Sequence, residues 1–430
     1  MTSLRRHRLT IVIAAIAAAG ALLAPTGDTH AQGADADPIE TDDPAVVSGL
    51  AWHLDATAAR TAWRSSLGGG VVVAVVDSGV DADHPDLVGQ VSESITCEGT
   101  DGDPSRCTGS GRDHNGHGTH VAGLVAARTD DGTGVAGVAP RATLLAIRAI
   151  DASCDSDECT PTGPTADVAA GIRWALDHDA DVINVSVSAS RRLGPELAAA
   201  VDEAWDAGAI PVIAAGNRSG TSGSFDARAA LVVTATDRNG VLAPYASPVD
   251  GAPFGIAAPG GEQGDTAETC HIDGTPAGLI STVPTAAGDR SGYACRAGTS
   301  MAAPQVSAGL ALLLSMGYSR DDAVERLLDT ARPGHGLGAG SLDLPAAVAG
   351  PIPPGVRTRH DDFDNGTAPP DRAPPTTGPF AAPSGGSRDW QPWLVVALGG
   401  VAAGGAAEAV LRVRRRRQVG APGGDATRPG

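Results

Sequence analysis

Apolar positions along this chain follow two periods in turn. The stretches VVVAVVD (71–77), ATLLAIRAI (142–150), ADVINVSV (180–187), AIPVIAAG (209–216) and ALVVTAT (230–236) are short, rich in β-branched residues and nearly free of polar alternation. That pattern predicts strands covered on both faces. Interleaved with them are GTHVAGLVAA (118–127), TADVAAGIRWALDHD (165–179) and GPELAAAVDEAWDAG (194–208), whose apolar residues recur at helical spacing. TSMAAPQVSAGLALLLSMG (299–317) and SRDDAVERLLDTA (319–331) add two helices near the end of the body. Strands alternating with helices predict an α/β body, a doubly wound and mostly parallel sheet with helices on both faces. In such sheets the chemistry lies beyond the carboxyl ends of the strands. The residues that follow each strand are therefore the ones to inspect.

The pattern changes at both ends. MTSLRRHR followed by LTIVIAAIAAAGALLA and the small residues before Gln32 has the layout of a secretory signal peptide over 1–31, though the same run could stay as an anchor. Residues 32–50 form a short, acidic, extended N-terminal extension, and 51–350 the folded body. Pro and Gly dominate 351–389, which reads as an extended linker. The apolar run over 393–411 is close to the roughly 20 residues that a bilayer requires. Trp390 and Trp393 stand at one edge and RVRRRR at the other. We assign a transmembrane helix to 390–411 and a basic cytoplasmic tail to 412–430, with a buried or surface helix as the other reading. Because positive residues stay inside, the body is expected outside the cell membrane, held there by a single pass.

Composition narrows the choices further. The 430-residue chain carries a net charge of −19, which excludes the basic face that nucleic acid requires. All 31 basic residues are Arg; with the abundance of Ala and Gly this reads as genome composition. Six cysteines are present, and an exported protein can keep disulfides. Sequence neighbours suggest Cys97 with Cys107, Cys154 with Cys159, and Cys270 with Cys295, other connectivities being open. The absence of any C-x-x-C pair argues against zinc.

Four polar residues stand at successive strand ends or helix starts. Asp77 follows the first apolar run, His117 opens the HGTH segment, Asn217 closes AIPVIAAGN, and Ser300 precedes the long apolar helix. Singly each has a plain structural reading, a helix cap for Ser300 among them. Together they match a need: a serine hydroxyl requires a neighbouring base, the base an orienting carboxylate, and the oxyanion a fixed donor. Asp, His and Ser in this chain order is one of the known orders for such a triad, whereas lipases and esterases use a G-x-S-x-G elbow and a different order.

AVVDSGVDADHPDL, HGTHVAG, AAGN and GTSMAAPQVSAG resemble the signatures of the subtilisin-like serine proteases, the subtilases (peptidase S8), over about 71–316. The resemblance implies a serine endopeptidase acting on protein or peptide substrates without a required cofactor. Asp77 would orient His117, His117 would serve as base and then acid, and Ser300 would attack. Asn217 and the Ser300 backbone N–H would form the oxyanion hole, and His120 would be structural. Ser186, Val187 and Ser188 fall where the family pairs with substrate backbone, with Ser188 replacing a usual glycine. Arg218 falls at the pocket rim, where it would disfavour a basic residue before the scissile bond. Asp86 and the RTDDGTG loop (128–134) fall where many subtilases bind structural calcium. The order of signal peptide, short extension, catalytic domain, linker and anchor is similar to that of the mycosins. These are the membrane-anchored subtilases of type VII secretion systems, which work at a secretion membrane complex. A generic anchored envelope subtilase and a secretion-complex scaffold are the alternatives.

Overall fold

The computed structural model describes residues 39, 41–150, 165–186, 193–219, 229–262, 270–272, 275–285 and 292–350. The signal peptide, residues 32–38, Cys154, Cys159, Val187, Ser188, the linker, the transmembrane segment and the basic tail lie outside the described residues. Three short helices come first: α1 (Pro44–Val47), α2 (Trp52–Ala56) and α3 (Ala59–Ala62). The part of the acidic extension at α1 is thus helical, not extended. Pro44 suits the first helical position, where its missing N–H costs nothing.

The strands of the central sheet are β1 (Val72–Asp77), β2 (Val91–Thr96), β3 (Thr143–Arg148), β4 (Val182–Val185), β5 (Ile210–Ala214), β6 (Leu231–Thr236) and β7 (Gly255–Pro259). They lie in the order β2-β3-β1-β4-β5-β6-β7, and every pairing is parallel. Between them run α4 (His117–Ala126), α5 (Thr165–Asp177) and α6 (Pro195–Ala207). Two small antiparallel pairs follow, β8 (His271–Ile272) with β9 (Thr275–Pro276) and β10 (Leu279–Thr282) with β11 (Tyr293–Arg296). Helices α7 (Thr299–Ser315), α8 (Arg320–Asp329) and α9 (Leu344–Val348) complete the body.

Two cores explain why the strand runs lack polar alternation. Val73 and Val75 face the core built with α4 and α7, whereas Ala74 and Val76 face the one built with α5 and α6. Successive side chains of β3 divide in the same way, Leu144 and Ala146 to one side, Leu145 and Ile147 to the other. Each fully buried Val or Leu contributes about 1.5–3 kcal/mol of transfer free energy, so a polar residue on either face would be costly.

The chain reverses its direction of spread at β1, which has β3 on one flank and β4 on the other. Asp77 is the last residue of that strand. The switch in strand order therefore opens a crevice beside Asp77. Two sequence-neighbour disulfides are formed, Cys97–Cys107 with sulfurs 2.02 Å apart and Cys270–Cys295 with 1.97 Å. Among the described residues no helix is long and apolar enough to cross a membrane.

Candidate active site

Asp77 and His117 come together because α4 starts hard against the end of β1. That approach requires glycine at 118: a Cβ there would stand 2.1 Å from the Gly79 carbonyl oxygen and 3.1 Å from the Asp77 Cβ. The result is a contact of 2.7 Å between His117 Nδ1 and Asp77 Oδ1. Asp77 is fully buried and His117 nearly so. The Ser78 backbone N–H donates to the same carboxylate oxygen at 2.7 Å. With Nδ1 committed to Asp77, Nε2 is left as the basic nitrogen.

Asp113, which the sequence reading did not single out, holds the turn that carries His117. Its Oδ1 accepts from Ser78 Oγ (3.0 Å), Asn115 N (2.9 Å) and Gly116 N (2.8 Å). Its Oδ2 accepts from Thr119 N (2.9 Å) and Thr119 Oγ1 (2.6 Å). One buried carboxylate thus satisfies N–H groups at the start of α4, as an acidic group at a helix N-terminus does. The signal was present in the sequence as Asp-His-Asn-Gly four residues ahead of His117.

Ser300 is the second residue of α7 and is 5% exposed. Pro304 lies within that helix. Lacking an N–H, it cannot donate to the carbonyl of Ser300, four residues back. Ser186 fills the vacancy: its Oγ donates to the Ser300 carbonyl at 3.1 Å while accepting from Asn184 Nδ2 at 2.8 Å. The side chain of Ser186 is fully buried and braces the nucleophile turn, a part the sequence did not suggest beside the backbone pairing expected of this segment. Ser300 Oγ itself donates to the Ser186 carbonyl at 2.7 Å. No hydrogen bond joins Ser300 Oγ to His117 among the described residues; catalysis requires the hydroxyl to leave the Ser186 carbonyl for the base, and such catalytic bonds commonly tighten only when substrate is bound.

Asn217 follows β5 and is exposed. Its Oδ1 accepts from the Thr299 N–H at 3.0 Å and from Thr299 Oγ1 at 3.1 Å. A backbone N–H can only donate, so the carbonyl end of the amide must face Thr299. The Nδ2 donor is then directed away, and a Cβ on Gly298 would lie 3.1 Å from it. Next to it, Arg218 is exposed, and its backbone is tied to Ser247 Oγ through both N–H (3.3 Å) and C=O (3.1 Å).

His120 is fully buried, and its Nε2 lies 3.0 Å from the Leu279 carbonyl and 3.1 Å from that of Ala294. Burial holds its pKa well below the ordinary value. It is a neutral clip between α4 and the β10–β11 hairpin, outside the chemistry.

The expected calcium position has different partners. Asp86 is fully buried, with Oδ1 accepting from Tyr293 Oη at 2.9 Å and Oδ2 from Val135 N–H at 2.9 Å. Burial pushes its pKa up to about 7, against those two bonds, and Asp131 and Asp43 add to the rise. In the neighbouring loop, Asp43 Oδ2 accepts from Thr129 Oγ1 (2.7 Å) and Asp130 N (3.1 Å), and Asp42 Oδ1 from Gly132 N (2.9 Å). Protein donors hold both oxygens of Asp86, whereas Asp43 Oδ1 is buried without a hydrogen-bond partner among the described residues. No group of three acidic, His or Cys side chains suited to a metal occurs among the described residues, and Asp86, with both oxygens taken, does not fit as a calcium ligand.

Taken together, Ser300 can attack a carbonyl, His117 can take and return its proton, Asp77 can steady the imidazolium, and Asn217 with the Ser300 N–H can hold the oxyanion. Known proteins agree with this chemistry. The family model described as "Subtilase family" matches residues 68–348. Thermitase from Thermoactinomyces vulgaris is 36% identical over 286 residues, covering 65% of this chain and 88% of its own. Subtilisin DY from Bacillus licheniformis is 36% identical over 262 residues, covering 58% and 78%. A solved protease structure from Pseudoalteromonas arctica superposes with a TM-score of 0.60 at 30% identity, covering 72% of this chain and 98% of its own. The chain belongs to the subtilase family and is a subtilisin-like serine endopeptidase.

Proposed function

We propose that this endopeptidase is anchored in the cell membrane with its catalytic body outside, and that it trims secreted proteins beside a type VII secretion complex, as the mycosins do. The observation that carries the reading is the run over 393–411 between Trp390 and Trp393 on one side and RVRRRR on the other. An apolar span, an aromatic belt and a positive inner flank orient a single pass. The Pro-rich linker gives reach between body and bilayer. The two disulfides suit an oxidising compartment. Substrates are extended polypeptides, because the triad requires a carbonyl exposed to Ser300 and a donor set around its oxygen.

Fractionation of cells expressing the full chain, or a chain ending at residue 389, tests the anchor. The full chain should pellet with membranes and be digested by added protease at the cell surface. The shortened chain should appear in the medium. Equal distribution of the two would overturn the reading. Ser300→Ala in the native host then separates trimming from assembly. Loss of substrate maturation with secretion retained marks a processing enzyme. Maturation and secretion both unaffected would point to the scaffold alternative.

A further inference from the structure

Arg296 stands four residues before the nucleophile, at the end of β11. Its guanidinium is placed unusually. Nε and Nη1 are buried and lack a hydrogen-bond partner among the described residues. Among the described residues Nη2 reaches only the Asn115 carbonyl, at 3.5 Å. The same nitrogen lies 3.2 Å from where a Cβ on Gly116 would stand, a position that Pro284 and Val283 also approach, at 3.3 and 3.6 Å. Asn115 and Gly116 are the two residues ahead of His117.

The nearby carboxylates do not satisfy this group. Asp113 spends both oxygens on five donors of its own turn. Asp77 Oδ1 is taken by His117 and Ser78, and Asp77 Oδ2, buried and without a hydrogen-bond partner among the described residues, does not bond the guanidinium. Both act on Arg296 through charge, while burial pulls its pKa down. A half-buried guanidinium with two unpaired nitrogens and one long hydrogen bond is poorly satisfied, and a carboxylate that met it in a bidentate pair would be bound strongly.

Position decides which part of a substrate could bring that carboxylate. The acyl side of the scissile bond stays with Ser300 and the Asn217 donor. The amine side leaves past His117, because His117 returns its proton to that nitrogen. The first residues after the scissile bond therefore cross the 115–117 turn, where the guanidinium lies. We infer that Arg296 is a specificity-determining residue that selects Asp or Glu at the first or second position after the scissile bond. The inference rests on the endopeptidase chemistry above and deepens it by naming a substrate class.

Quenched fluorogenic peptides test it, used with the full chain in detergent. The peptides share one sequence before the cleavage point and carry Asp, Asn, Glu, Gln or Leu at each of the two positions after it. The acidic peptides should show a kcat/KM about 10–100-fold above their amide isosteres, the range that a site built around a charged partner gives. In Arg296→Gln that ratio should fall to near unity, with the neutral peptides cleaved at rates within about 3-fold of the native chain. Arg296→Lys should keep part of the preference, since it retains charge without the planar fork. Equal rates on acidic and neutral peptides by the native chain would overturn the inference whatever the variants do. So would a preference that survives in Arg296→Gln. Another overturning result is a native chain without preference whose Arg296→Gln form melts earlier, which would show that a carboxylate of the chain itself is the partner. Failure to cleave any peptide, with no labelling of Ser300 by a fluorophosphonate, would sink the endopeptidase reading instead, and the inference with it.

Discussion

At the scale of single residues, the amide of Asn217 shows how a donor is aimed. Thr299 offers a backbone N–H and a hydroxyl to Oδ1, and the Thr299 hydroxyl in turn accepts from the Gly216 N–H at 3.0 Å. The amide cannot flip without setting two N–H groups against each other. Its donor end is thus fixed before substrate arrives, which is where such groups gain their effect. Asn217→Ala should lower kcat by about 100–1,000-fold with little change in KM, because the donor is needed for the oxyanion and not for the ground-state carbonyl. Steady-state kinetics on one good peptide decide it. A rise in KM at constant kcat would show that Asn217 holds substrate instead. Ser300→Ala should abolish fluorophosphonate labelling while leaving the melting temperature near that of the native chain.

At the scale of elements, the start of α7 combines a helix break with a brace from β4. Pro304 withdraws the N–H that the Ser300 carbonyl would otherwise receive, and Ser186 supplies a hydroxyl. Ser186→Ala should leave that buried carbonyl unpaired and cost about 1–3 kcal/mol. Adding Pro304→Ala restores a donor from the next turn. The double variant should therefore be less destabilised than the sum of the singles by about 1 kcal/mol, measured by denaturant unfolding. Strict additivity would mean that the two residues do not share the carbonyl. This brace also marks the limit of what the sequence made legible. The long helices and the five β-branched strands were read correctly because their apolar runs are pure. β2 (VSESIT) was missed because it is an edge strand with polar, half-exposed positions, and β7 (GIAAP) because Gly, Ala and Pro have little strand preference. Asp77, His117, Asn217 and Ser300 stood out as strand-end punctuation, and the fold sets Asp77 against His117 and Asn217 against the residue before Ser300. Asp113, Arg296 and the bracing part of Ser186 were not, since each depends on which distant carbonyl or turn lies opposite.

At the scale of the whole molecule, two buried groups pull stability in opposite directions with pH. His53 is fully buried, neither ring nitrogen has a hydrogen-bond partner among the described residues, and burial lowers its pKa to about 4 despite the opposing charge of Asp55. Unfolded, it would titrate near 6.5. Between those values the unfolded chain binds the extra proton, so stability is full above about pH 6.5 and falls as pH drops toward 4, by up to about 3 kcal/mol. Asp86 has the reverse sign. Its folded pKa of about 7 exceeds the unfolded value, so its contribution is full below about pH 4 and is lost as pH rises through 7, by up to about 4 kcal/mol at pH 8. Asp86 ties together loop 128–135, to which Asp42 and Asp43 of the extension bind, and Tyr293 at the start of β11, seven residues before Ser300. The two slopes oppose each other between about pH 4 and 6.5. Denaturant unfolding from pH 4 to 8.5, in EDTA, should therefore show the stability of His53→Leu falling more with rising pH than that of the native chain over this window, and that of Asp86→Asn rising more. The gain of Asp86→Asn over the native chain should grow from about pH 4 to 7 and level off above it. A resident calcium ion would keep Asp86 ionised at every pH tested. The Asn variant would then be destabilised throughout in added calcium, and chelation would lower the stability of the native chain. A carboxyl group held only by the Tyr293 hydroxyl and the Val135 N–H, both donating to it, leaves both measurements indifferent to calcium, and that is the outcome expected from the hydrogen bonds at Asp86.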